Sequence, residues 1–119
     1  MKENIVQDKS YAFALRIVNL YRWLCDRKKE YVLSKQILRS GTSIGANVEE
    51  AIGGQSRKDF QSKLSIAYKE SRETRYWLRL LRDARLIDDS AYKSIVADCE
   101  ELMRILSSIT KTMKTKIKQ

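Results

Sequence analysis

An antiparallel up-down-up-down four-helix bundle is the fold this 119-residue chain predicts, and three observations predict it. There are no prolines and only four glycines, so nothing in the long stretches of Ala, Leu, Arg, Lys, Glu and Ile interrupts a helix. Apolar residues recur at helical spacing in four separate segments. The inward stripes of consecutive segments also pair in one constant register when each segment folds back on the one before it.

The first helix is expected from about Asp8 or Ser10 to Asp26, with Phe13, Ile17, Leu20 and Leu24 on one line and Ala14, Val18, Tyr21 and Cys25 on the next. The charged run Asp26 to Glu30 connects it to a second helix, from Tyr31 or Ser34 to Ile52, which Gly53-Gly54 ends. Ser56 and Asp59 have capping-box spacing and open a third helix that continues to about Arg85. Asp88 or Asp89 caps a fourth, which runs toward Lys111 before a tail that is expected to fray. One domain spanning 1–119, with an ordered core of about 8–113, accounts for the whole chain.

On helix three, Phe60, Leu64, Ala67, Ser71, Thr74, Leu78 and Leu81 form a seam with alternating steps of four and three. Folding helix two back on it sets Ile52 on Phe60, Val48 on Leu64, Gly45 on Ala67, Gly41 on Ser71 and Leu38 on Thr74. Folding helix four back sets Leu78 on Ile95, Thr74 on Cys99, Ser71 on Leu102 and Ala67 on Leu106. Gly41 and Gly45 each cost a helix interior about 1 kcal/mol relative to alanine, so a close approach to another helix is expected, at Ala67 and Ser71. A phosphate-cradling loop is excluded there, because no strand precedes the glycines and no Gly-Lys-Ser/Thr follows them.

Composition narrows function. A net charge of +9 points to an anionic partner, nucleic acid first. Tyr68, Arg72, Arg75, Arg79 and Arg82 form a stripe roughly 20 Å long on one flank of helix three, suited to phosphate contact and stacking; an ion-paired or solvated flank is the other reading of the same residues. The tail lysines Lys111, Lys114, Lys116 and Lys118 are a rival anion site. The opposite flank, Ile66, Glu70, Glu73, Trp77 and Leu80, mixes acid with exposed apolar surface and is expected to meet the arginines of a neighbouring copy. With no histidine in the chain, the Glu-x-x-His pattern of di-iron bundles and any His-based nucleophile are absent, so no catalytic residue, metal or cofactor is assigned. Cys25 and Cys99 match no metal spacing and fall at core-facing positions, as free thiols of a reducing compartment do. No apolar run has signal-peptide or membrane-spanning character, and a soluble cytoplasmic protein is expected.

The segment Leu38-Arg39-Ser40-Gly41-Thr42-Ser43-Ile44-Gly45-Ala46-Asn47-Val48-Glu49-Glu50-Ala51, then Phe60 and the run from Lys63 to Leu78, resembles the bacterial four-helix-bundle family encoded in intervening sequences of large-subunit ribosomal RNA genes. The likeness covers about Lys9 to Met113, with Phe13-Ala14 early and Glu100-Glu101-Leu102 late. It implies a homopentameric ring, similar to the basic barrel-shaped accessory protein of diversity-generating retroelements, which associates with nucleic acid and a reverse transcriptase. It implies no catalytic residue. Three functional readings follow: a non-catalytic module bound to nucleic acid, a scaffold for a protein partner such as a polymerase-like enzyme, or an enzyme using Glu70 and Glu73.

Overall fold

A computed structural model describes the backbone of residues 2–118 and the side chains of residues 5–113. Four helices, α1 (Lys2–Lys28), α2 (Leu33–Ile52), α3 (Arg57–Asp83) and α4 (Asp89–Lys118), lie along a body of 50 × 23 × 21 Å. Each helix packs on its sequence neighbours, and α4 closes back on α1 through a thinner seam. Among the described residues the backbones of the diagonal pairs α1/α3 and α2/α4 do not approach closely, which is the square layout of an up-down-up-down bundle.

The core forms where the 3.6-residue period predicts it. Leu64, Ala67, Ser71, Thr74, Leu78 and Leu81 of α3 are all buried, with Phe60 half-buried at the end of the seam. Opposite them α4 buries Ile95, Cys99, Leu102 and Leu106. Burial pushes the Cys99 thiol up to about 12, and its S–H donates to the Ser71 carbonyl at 3.2 Å, one turn before Thr74 on the same face of α3. Cys25 is only half-buried, with its sulfur 3.8 Å from Ser34 Oγ. α1 begins well before Asp8 because the inward period continues to Val6, which is 2% exposed. α4 continues to Lys118 rather than stopping near Lys111; the side chains of Lys114, Lys116 and Lys118 lie outside the described residues.

The glycine contacts differ from expectation. α2 buries Ile37, Ser40, Gly41, Ile44, Val48 and Ala51, leaving Leu38 half-buried and Ile52 exposed. Ser40, not Leu38, therefore meets Thr74, with hydroxyl oxygens 3.0 Å apart. This rotation turns both glycines toward α1: a Cβ at Gly41 would lie 2.7 Å from Ile17 Cγ1, and one at Gly45 would lie 3.3 Å from the Ser10 carbonyl oxygen. A stripe of small residues admits a close neighbour without naming it, and here the neighbour is α1 instead of Ala67 and Ser71.

The helix ends are closed by side chains and by left-handed residues. Ser56 Oγ accepts from the Asp59 N–H at 3.0 Å, and Asp88 Oδ1 accepts from the Ala91 N–H at 2.7 Å, as the capping pattern predicts. Lys29 (φ 53°) and Arg85 (φ 62°) take the left-handed positions after α1 and α3, and Leu86 N–H and Arg85 N–H then bond the Leu81 and Arg82 carbonyls, each at 2.9 Å. Gly53 ends α2 with an ordinary negative φ.

Glu30 caps α2 by an arrangement the sequence pattern did not reveal. Its carboxylate accepts from the N–H groups of Val32, Leu33 and Ser34 at 3.1, 3.0 and 2.7 Å. Desolvation acts to raise its pKa, but these backbone donors outweigh it and hold the carboxyl below its ordinary value of 4.5. A depressed acid stabilises the fold at pH values above 4.5, and that contribution fades as the pH falls through the folded-state value. Glu30→Gln is therefore expected to destabilise by about 1 kcal/mol at neutral pH, the usual worth of a helix cap. Melting curves of the two proteins should converge as the pH is lowered below 4.5, and a constant gap down to pH 3 would remove the charge from the explanation.

Candidate nucleic-acid interface

The predicted arginine flank of α3 faces α4, and the two helices frame an open groove. Tyr68, Arg75, Glu100, Met103, Arg104, Ser107 and Lys111 line its central part. Arg75 reaches across to Glu100 at 3.5 Å. At the far end the Arg82 guanidinium lies 4.3 Å from the Tyr92 ring centroid and its Nε bonds Asp83 at 2.8 Å. The Arg82 hydrogen bond holds the Asp83 carboxyl below the usual carboxylate range, and the charges of Arg82 and Arg79 add to that.

The stripe therefore divides. Arg75 and Arg82 are committed to contacts within the chain, whereas Arg72 and Arg79 are exposed and form no ion pair among the described residues. Arg104 on the facing helix is likewise exposed and unpaired among them. Sequence reasoning missed Arg104, although Lys93, Glu100, Arg104, Ser107 and Lys111 recur at steps of seven, four, three and four and so share a face of α4. Exposed Arg104 in the groove, exposed Arg72 and Arg79 on the same flank of α3 as Tyr68, and the half-buried ring of Tyr68 itself can hold phosphates and stack a base.

On the opposite flank of α3 the two carboxylates find a cation within the chain. Ser40 meets Thr74, so the adjacent Arg39 lies over Glu70 and Glu73: Nη1 bonds Glu70 at 3.0 Å and Nη2 bonds Glu73. The Trp77 indole N–H donates to Glu73 at 3.0 Å. That bond, with desolvation opposing it and Arg39 adding to it, keeps the Glu73 carboxyl below its usual range. Trp77 and Leu80 are half-buried, and Tyr76 stands edge-on to Trp77 at 5.0 Å. Ile66 (39% exposed) and Tyr76 (51%) are what this flank leaves open. Both predicted carboxylates are thus answered within the chain.

Among the described residues no cluster of His, Cys, Asp or Glu could hold a metal ion, and no helix is long and apolar enough to cross a membrane. Fold and surface together define a small, basic, all-helical bundle with exposed arginines beside the groove between its third and fourth helices. The model of the 23S rRNA-intervening sequence protein family matches residues 2–108, and the chain belongs to that family. The chain is also similar to a crystal structure described as a protein with unknown function from the S23 ribosomal protein family from Bacteroides thetaiotaomicron. The two are 57% identical over 93% of this chain and 99% of that one, with a TM-score of 0.91. No curated protein matches.

Proposed function

We propose that this chain is a non-catalytic, homo-oligomeric bundle, a pentamer on the family resemblance, that binds nucleic acid, RNA before DNA, through the α3–α4 groove. The observation that carries the reading is the exposure of Arg104 in that groove and of Arg72 and Arg79 on the α3 flank beside it, without an ion pair among the described residues while Arg75 and Arg82 are bound to acids. A net charge of +9 supplies the long-range attraction.

The double variant Arg72→Ala, Arg79→Ala tests it, because neither side chain supports the fold. Binding to structured RNA should weaken across sequences, and the slope of log affinity against log salt should fall by about two units, one for each phosphate that is no longer neutralised. Unchanged affinity and slope would sink the reading. Binding that survives this double change but disappears on truncation after Thr110 would move the electrostatic footprint to the tail lysines.

A further inference from the structure

The α3–α4 groove carries an acid among its cations. Glu100 is the one acid among the described residues that line it, beside Arg75, Arg104 and Lys111. A carboxylate there repels phosphate, so what it can meet on a nucleic acid is a hydrogen-bond donor. Its contact with Arg75 uses Oε2 alone, at 3.5 Å, the outer limit of a hydrogen bond. Oε1 has no partner among the described residues, and the side chain keeps 43% of its surface. An ionised carboxylate has about four acceptor sites, so the ion pair leaves most of that capacity open.

The cleft around Glu100 has a volume of about 540 Å³, inside the range of ~300–1,000 Å³ in which small ligands are held. Buried Met103 lies on the α4 side and the half-buried Tyr68 on the α3 side. Cys99 against Ser71, and Arg75 across to Glu100, set Tyr68 near the level of Arg104, which is one helical turn, about 5.4 Å, from Glu100. A cation, an aromatic ring and an acceptor therefore fall within one turn of each other. Those are the groups that hold a nucleotide by its phosphate, its base plane and its base edge.

We infer that this cleft seats an unpaired nucleotide of the RNA, its base stacked on Tyr68 and its exocyclic amino group donating to Glu100 Oε1, so that cytosine is favoured over uracil. The inference rests on the RNA-binding reading and adds which part of the RNA enters the groove. Cytosine carries an N4 amino donor where uracil carries a carbonyl oxygen, whose lone pairs would face the carboxylate with no proton between them. In a paired A-form helix that amino group lies in a deep, narrow major groove that side chains do not read. Glu100 reaches it only in a loop, a bulge or a free end.

Short labelled oligocytidylate and oligouridylate strands, titrated at one salt concentration and read by fluorescence anisotropy, test the inference. Wild type should bind the cytidine strand about five- to tenfold more tightly, the effect of one base-edge contact. Glu100→Gln removes a negative charge, so both strands should bind more tightly. Its amide donates as well as accepts and serves uracil's carbonyl too, so the ratio should fall to about one. A Glu100 that only anchors Arg75 would shift both affinities together and leave the ratio as it was. A ratio near one in wild type, a ratio that persists in folded Glu100→Gln, or a fully paired stem bound as tightly as the cytidine strand would overturn the base contact. RNA binding itself would then still stand on the salt slope lost with Arg72 and Arg79. Absence of binding to any of these RNAs would overturn the proposed function with it.

Discussion

Gly41→Leu is expected to lower the melting temperature by about 10 °C or more, as overpacking of about 3 kcal/mol does in a domain of this length. Even the first added carbon would stand 2.7 and 2.8 Å from two carbons of Ile17, a side chain with no exposed surface and no room to retreat. The gain in helix propensity on losing a glycine, about 1 kcal/mol, is too small to offset this. Position 45 differs in what it meets, since a Cβ there lies 3.3 Å from backbone at Ser10. The diagnostic measurement is a double-mutant cycle. Gly41→Ala should be relieved by Ile17→Ala, which opens the space the methyl needs, and not by Ser71→Gly on α3. Additivity of the Gly41 and Ile17 changes would mean that α1 is not the close neighbour.

Phe13→Ala is expected to cost about 3–5 kcal/mol, a large share of the stability of a domain this size. Phe13 is 1% exposed, on the core face of α1 one turn from both Ser10 and Ile17. Leu15, two residues away on the same helix, is 55% exposed, so Leu15→Ala should leave the unfolding free energy of a single chain nearly unchanged. Denaturant titration of dilute protein measures both. Equal losses would show that the outer face of α1 is packed within the chain.

Periodicity made the α3 seam legible residue by residue, because Leu64, Ala67, Ser71, Thr74, Leu78 and Leu81 can satisfy a 3.6-residue repeat in only one rotation. α2 was less legible for the opposite reason. Its small residues fit either neighbour, and the choice was settled by Ile37, Ile44 and Ala51, whose burial turns Gly41 and Gly45 toward α1. The left-handed positions fell on Lys29 and Arg85, where side-chain chemistry gives no warning, while the glycine pair kept ordinary angles. In the candidate interface the stripe from Tyr68 to Arg82 lay on one flank as read. Which of its arginines remain available depended on Glu100 and Tyr92 of another helix, and which carboxylates are spoken for depended on Arg39. Sequence spacing along one helix fixes a face; it does not fix what the neighbouring helix brings to that face.

The thin α1–α4 seam sets the order in which this molecule assembles itself. Apart from that seam, the close backbone approaches among the described residues are between helices consecutive in sequence, so most of them close short loops and cost little chain entropy. The three hairpins can form early and fast. Joining α4 to α1 is the one distant closure, and it gathers the fewest interactions, among them Arg16 with Asp98 and Lys9 with Glu101. It is therefore the seam expected to close last and to open first, with α1 still packed on α2 and α4 on α3.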